Sequence, residues 1–519
     1  MNEEVILLLL SLRDVQCLGY QITEKTNNHY TMKRREFLSM TGMIAAAGVA
    51  SPVLSSCCDG SKGTVNTKNI TKKYQTDVLI CGGGPAGVCA AVAAAREGVN
   101  VMVIETAGFL GGMATRSLVG PFMTCFDSEG EQMIIRGLFE EVVDRMVAKG
   151  GALHPKDIRA TSPYSAWITA GHDHCTPFEP ECMKVVLDEM VEEAGVKVLF
   201  HSNFVEPILK GNKITGAVIS NKAGFQIVEA KVVIDCTGDG DVAYRSGVPC
   251  HFGNEDGKVQ PSTAFFHINN VDSEKLEADV QKHLHEFRKV DGISYRALHW
   301  WVLKAIENGE WDIARRSVNI YKCVQPHEWV VNCSRIQNID ATDPESMTAG
   351  EIEGRKQIQQ LMNFFHKYVP GCEKAVLMAS GSQLGIRESR HIEGDYVLTA
   401  EDLLSAKMFE DNIFVTASAV DVHGSGGKTN YKPLTAGKWY GIPYRTLLPK
   451  NVEGLLVAGR CLSATSEAAG AIRVMPPVMA MGQAAGVAAA LAVKNSITPR
   501  SVDVPALQEV LVKQKVFLG

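Results

Sequence analysis

The chain has 519 residues, 45% of them hydrophobic and 21% charged, so it can bury large cores and is expected to form two intimately connected domains. Its formal net charge of −6, with no long basic run, argues against a nucleic-acid-binding surface. No cysteine pair has C-x-x-C spacing and no C-x-x-C-H occurs, which excludes a zinc ribbon and an attached c-type haem.

Residues 1–31 read as an extension upstream of the true start, because the chain acquires the features of an export signal only from Met32. Residues 32–57 combine a basic n-region, the twin arginines Arg34 and Arg35, Phe37 and Leu38, and a Gly/Ala-rich apolar stretch that is too short for a membrane span. That pattern resembles a twin-arginine signal, and Leu54-Ser55-Ser56-Cys57 resembles a lipobox in which Cys57 is lipidated. The expected location is the cell envelope after export, with the membrane contacted through the lipid on Cys57 only. Residues 58–76 are the polar tether.

The run Asp77–Glu105 supplies a βαβ unit in order. Asp77 to Cys81 is a buried strand, and Gly82, Gly84 and Gly87 complete G-x-G-x-x-G in the turn that follows. Gly82 permits the tight turn, Gly84 lets the backbone approach a pyrophosphate, and Gly87 lets the next helix pack against the strand. That helix runs from Pro85 to Glu97, and its first turn, with Pro85 and Ala86, faces the phosphates. Val101 to Ile104 is the second strand, ending in Glu105, about twenty residues past the glycines, where a carboxylate can bond both ribose hydroxyls. An ADP-containing cofactor follows.

Downstream, Gly111 and Gly112 lie in a loop that must approach something closely. A helix over Glu181–Ala194 leads to a strand at Val196–Phe200, then to a β-meander at Phe204–Leu209, Lys213–Ser220 and Phe225–Val228, and a separate strand at Lys231–Asp235. Strands near Ala264 and Val330 and a helix over Ala349–Tyr368 follow, then a last core strand at Glu453–Ala458 and a small-residue helix at Pro477–Val493. Cys236, Cys323 and Cys333 sit in apolar runs as buried thiols.

The order of these elements resembles the glutathione-reductase-like FAD superfamily, and more closely the bacterial FAD-dependent oxidoreductases distantly related to fumarate reductase and succinate dehydrogenase flavoproteins. The matching residues are GGGPAG at Gly82–Gly87, GGMAT at Gly111–Thr115, DCTGDGD at Asp235–Asp241, GIRESRHIEGDYVLT at Gly385–Thr399, IPYRTLLP, and LLVAGRCLSATSEAAGAIRVMPPVMAMGQAAG up to Gly486. The resemblance implies an α/β fold: a Rossmann FAD-binding domain with a β-meander (residues 77–120, 181–246 and 409–500), an inserted α+β substrate domain (121–180 and 247–408), and a C-terminal segment (501–519). It places Gly111, Gly112 and Thr115 beside the flavin ring and pyrophosphate, Thr237, Gly238 and Asp239 at the cofactor, Gly459 and Arg460 by the ribityl chain, and the helix opening at Pro476 and Pro477 toward flavin N1. Phe109 and Leu110 precede GGMAT where succinate dehydrogenase relatives carry a flavin-linking His, so the FAD is expected to be non-covalent.

Around the substrate, Arg387, Arg390 and Arg473 suit paired hydrogen bonds to a carboxylate, while Arg387 and Glu388 equally suit a structural ion pair. His423 in DVHGSGGK reads either as a general base or as a turn residue bonded to backbone. No metal site is expected, since His172, His174 and Cys175 in GHDHC lie in a loop without a distant partner. The expected function is exported, FAD-dependent hydride transfer to or from a small organic substrate, with a separate electron donor or acceptor, because no second G-x-G-x-x-G supplies a nicotinamide domain. The alternatives are a C=C reductase of an organic acid driven by an external donor, and a flavin electron carrier or redox sensor; the large insertion argues against the last.

Overall fold

The computed structural model describes residue 70 and residues 72–519, apart from positions 170, 425, 426 and 436. Arg34, Arg35, Cys57 and the export signal lie outside the described residues.

Unbroken apolar runs make strands that are buried on both faces, and such strands assemble in parallel. Val78–Cys81 of β1 (Lys73–Cys81) and all of β2 (Val101–Ile104) are buried, and the two pair in parallel. The seven-stranded sheet runs β3 (Lys197–Leu199), β2, β1, β6 (Gly224–Asp235), β5 (Lys213–Asn221), β4 (Asn203–Lys210), with strand Leu455–Val457 also on β6. The expected break between Phe225–Val228 and Lys231–Asp235 is absent. β6 is one 12-residue strand whose first half closes the antiparallel meander on β5, while its second half pairs in parallel with Leu455–Val457. The polar Glu229-Ala230-Lys231 imitates a turn in sequence, but Glu229 pairs with Gln75 on one side and with Gly216 on the other, so the ladder carries the backbone straight through.

Helix α1 (Pro85–Arg96) is alanine-rich and buried over its first ten residues. Its partner is the helix Met475–Lys494. A Cβ added at Gly482 or Gly486 would stand 2.1 Å and 2.2 Å from the carbonyl oxygens of Ala86 and Ala90, so the two helices meet backbone to backbone. This contact fixes the N-termini of both helices at the same end of the sheet.

A four-stranded antiparallel sheet, in the order Asn319–Lys322, Trp329–Asn332, Phe266–Asn269, Val376–Ser380, has its own core around Trp329, Phe266, Leu361 and Phe365. The helix behind it starts at Pro344, a turn earlier than its apolar periodicity suggests, because Asp343 caps Ser346 N at 3.0 Å and Pro344 occupies the first turn. A hairpin, Val420–His423 with Thr429–Lys432, reaches into the space beside this sheet.

Candidate active site

One cavity of 1040 Å³ is bounded by Cys81, Ile104, Cys236 and Ala458, the C-terminal ends of the parallel strands, and on its far side by Phe265, Tyr321 and Asn332 of the antiparallel sheet. Open parallel sheets receive ligands at that edge.

At the glycine end, Gly82 has φ +108°, and a Cβ on it would lie 2.4 Å from the Cys236 carbonyl oxygen. A Cβ on Gly87 would lie 1.9 Å from the Gly82 carbonyl oxygen. The turn is thus wedged between β6 and its own helix, and Gly87 serves this packing without lining the cavity. Gly82, Gly84, Pro85, Ala86, Glu105 and Gly112 do line it. The buried Glu105 carboxylate accepts bonds from Gly83 N (2.7 Å), Ala107 N (2.7 Å) and Thr106 Oγ1 (3.0 Å), which hold it at the wall. Gly111 and Thr115 depart from expectation: neither lines the cavity. Thr115 is buried and donates to the Leu110 carbonyl at 2.6 Å, so the pair shapes the loop that presents Gly112.

The T-G-D turn is organised by Asp235, which accepts from Thr237 Oγ1 (2.7 Å), Thr237 N (3.0 Å) and Ala243 N (2.9 Å). Burial pushes its carboxyl up to about 6 against these hydrogen bonds. Thr237, Gly238 and Asp239 line the cavity with Gly459 and Arg460, and Asp239 Oδ1 accepts from both Ser389 Oγ and Arg460 Nη2 at 2.6 Å. Arg390 is a correction. Its guanidinium leaves the cavity to pair with Asp241 at 2.8 Å over the Tyr244 ring, so it fastens the turn from behind. The alternative Arg387–Glu388 ion pair does not form; Glu388 instead holds His391 at 3.0 Å.

At the other end, Arg387, Arg473 and His423 share the cavity wall with Asp421. His423 Nε2 is 3.4 Å from Asp421 Oδ2, and its Nδ1 is 3.4 Å from Thr429 Oγ1. Burial pushes the imidazole down to about 3 despite Asp421, and Arg387 adds to the fall. Burial alone would raise Asp421, yet the His423 hydrogen bond and the Arg473 charge lower it. Arg387 donates to Thr263 Oγ1 at 2.6 Å and to the Pro261 carbonyl, and its pKa falls through burial and the neighbouring Arg473, Arg335 and Arg315.

Sequence reasoning missed Arg296, Arg315, Arg335, Tyr321, Tyr431 and His172, all of which line the same cavity. Apart from His172 in GHDHC, none belongs to a contiguous motif. Among the described residues His172 joins no group that could ligate a metal; its ring stacks on Tyr321 at 5.8 Å, and burial lowers it to about 4. His174 turns away, stacked on Phe126 at 3.9 Å and held by the Pro155 carbonyl at 2.9 Å.

A glycine turn, an acidic strand end and two helix N-termini around one cavity define a mixed α/β enzyme built to hold a dinucleotide cofactor. The chain belongs to the FAD dependent oxidoreductase family, which matches residues 77–511. It is therefore an enzyme with FAD as its cofactor. It is 33% identical over 86 residues to digoxin reductase from Eggerthella lenta, covering 14% of this chain and 15% of that protein. It is 25% identical over 188 residues to digeranylgeranylglycerophospholipid reductase from Methanosphaerula palustris, covering 32% and 39%. The chain thus spans less than half the length of these two curated relatives. A solved geranylgeranyl bacteriochlorophyll reductase-like structure from Thermoplasma acidophilum shares 15% identity over 86% of this chain and 85% of that one, with a TM-score of 0.43.

The residues present fit FAD. A Cβ on Gly84 would find nothing nearer than Gly112 Cα at 3.9 Å, and one on Gly459, where φ is +131°, would find no atom within 4 Å, so open space adjoins both. The Nε of Arg460 is buried without a partner. Gly82, Gly84, Pro85, Ala86, Glu105, Gly112, Thr237, Gly238, Asp239, Gly459 and Arg460 are the residues that could hold the cofactor, with Val474, Met475 and Val478 opening the Met475–Lys494 helix onto the same space.

Proposed function

We propose that this enzyme moves a hydride between flavin N5 and a small organic substrate that carries an anionic group bound by Arg387 and Arg473. The observation that carries the proposal is the single cavity joining the glycine turn to these two arginines and to His423. FAD supplies the hydride-accepting or hydride-donating centre. Glu105 and the first turn of α1 would hold the nucleotide end, and Gly112, Asp239 and Arg460 would hold the middle. Arg387 and Arg473 orient the substrate through forked hydrogen bonds. His423, neutral under these surroundings, takes a proton from the substrate in oxidation and returns it in reduction, with Asp421 facing the imidazolium that forms. Burial is the main cause of the depressed imidazole, and substrate charge beside Arg387 would offset only the part that this guanidinium adds.

The cationic wall also favours the reading of an organic-acid C=C reductase, which uses the same residues in the opposite direction. A cavity of 1040 Å³ beside the cofactor residues argues against a carrier without a substrate. Photoreducing the flavin anaerobically and offering organic acids against neutral sugars of equal size tests the proposal. Reoxidation by acids, or bleaching of oxidised flavin by them, is expected; reaction with neutral sugars alone refutes it.

The proposal extends to a glutathione-reductase-like arrangement of FAD and substrate domains within the boundaries drawn above, supported by the continuity of β6 with the meander. It includes non-covalent FAD, supported by Phe109 and Leu110 before the GGMAT loop, and a separate electron partner. Export through Arg34 and Arg35 and lipid anchoring at Cys57 rest on the signal-like sequence.

A further inference from the structure

We infer that the substrate is an organic polyanion with at least two anionic groups, the second received by Arg296, Arg315 and Arg335. The inference rests on the anionic-substrate reading above and narrows it.

Nine arginines line the cavity, and five of them, Arg296, Arg315, Arg335, Arg387 and Arg473, concern the substrate end. Every side-chain hydrogen bond they make to described residues goes to a neutral acceptor. Arg315 donates to the Asn332 carbonyl at 3.0 Å, Arg335 to the carbonyls of Gly424 and Lys428 at 2.8 Å and 2.9 Å, and Arg473 to Gln260 Oε1 at 3.4 Å. Among the described residues no carboxylate lies within ion-pair distance of any of the five, and Arg296 makes no side-chain hydrogen bond. The Nε atoms of Arg335 and Arg473 are buried without partners.

The anionic side chains lining the cavity do not balance this charge. Asp421 is the carboxylate that faces the arginines, and it is shared with His423 at 3.4 Å. Glu105, Asp239 and Asp241 belong to the nucleotide end, where Gly83, Arg460 and Arg390 engage them. Glu351 accepts from Leu384 N at 2.7 Å and pairs with Arg355 at 3.8 Å. Burial lowers Arg335 to about 10, and Arg315 pushes it further the same way. A charge enclosed without a counter-charge is costly, and removing water strengthens both its repulsion from like charges and its attraction for an incoming anion. One carboxylate from a ligand would leave most of this surplus unpaired.

The five come from separate parts of the chain. Arg387 and Arg473 lie within the GIRESR and AIRVMPP motifs, whereas Arg315 and Arg335 flank the hairpin of Asn319–Lys322 and Trp329–Asn332 and Arg296 precedes it. A ligand reaching both sets needs charge at two places, and carboxylates and phosphate esters share that chemistry.

The test titrates the holoenzyme with dicarboxylates (malonate, succinate, glutarate) against monocarboxylates of equal length (propionate, butyrate, valerate), and with pyrophosphate against phosphate. The readout is the perturbation of flavin absorbance. At least one dianion is expected to bind tenfold or more tighter than its single-charge counterpart, and whether the dicarboxylates or pyrophosphate lead identifies the source of charge. Arg335→Gln and Arg296→Gln should each erase at least fivefold of that preference. Equal affinity for single and double anions in the native enzyme overturns the inference but leaves the anionic-substrate reading standing. If no anion perturbs the flavin while neutral sugars do, both fall.

Discussion

Alanine at Gly84 separates cofactor binding from folding. Gly84 has an extended backbone, φ −71° and ψ −174°, that any residue adopts, and the nearest atom to an added Cβ is 3.9 Å away. The apoprotein should therefore lose no more than about 0.5 kcal/mol of stability. The added methyl enters the cavity between the start of α1 and Gly112, where the cofactor's phosphates would lie. Overpacking there should cost about 1–3 kcal/mol, which is roughly a 5- to 150-fold weaker hold on FAD. Gly87→Ala behaves oppositely: its Cβ would sit 1.9 Å from the Gly82 carbonyl oxygen, so the turn or the helix must shift whether or not FAD is bound. The assay is an FAD titration of each apoprotein by flavin fluorescence, paired with a thermal melt without cofactor. Native FAD affinity in Gly84→Ala, or an apoprotein melt as damaged as that of Gly87→Ala, refutes the reasoning.

Arg387→Lys keeps the charge but loses the fork, so substrate or anion affinity should drop about tenfold, equivalent to ~1.4 kcal/mol, with the flavin spectrum unchanged; unaltered affinity removes Arg387 from recognition. His423 is held down to about 3 by burial, well below its unfolded value of about 6.5. Between those limits the unfolded chain takes up a proton that the folded one refuses, so this residue makes stability fall as pH drops from 6.5 toward 3. His423→Gln should flatten the pH dependence of the melting temperature over that window, and an unchanged slope contradicts the assignment. Asp235→Asn keeps the acceptor for Thr237 but turns an amide toward Ala243 N, which should cost about 1–3 kcal/mol in denaturant titration. Changing Arg34 and Arg35 to lysine should retain folded, flavin-loaded enzyme in the cytoplasm, and Cys57→Ala should abolish lipid labelling; normal export or labelling of these variants dismisses the signal.

The nucleotide end was legible because its information is local. Gly82, Gly84, Gly87 and Glu105 lie within one βαβ unit, where the turn, the helix start and the strand end are close in sequence as well as in space, so spacing alone constrains their geometry. The same holds for the helix Met475–Lys494, whose glycines and alanines announce close packing before the partner is known. Sequence did not reveal that β6 continues through Glu229-Ala230-Lys231, since strands on both sides supply that continuity and a polar triplet reads as a turn without them.

Arg390 and Arg387 stand three positions apart in one motif, yet the fold sends one to Asp241 and the other into the cavity. Which guanidinium meets a ligand depends on side-chain direction at a chain crossing, and no local pattern encodes that. Arg296, Arg315 and Arg335 carry no motif at all; they become one cationic wall only when the antiparallel sheet and the Val420–His423 hairpin close over the strand ends. Sequence by itself determined the cofactor class, because phosphate and ribose are recognised by backbone and by one acidic residue at fixed spacing. The charge of the substrate pocket was decided by tertiary structure alone, since electrostatic surplus is a sum over groups that only folding brings within reach of one another.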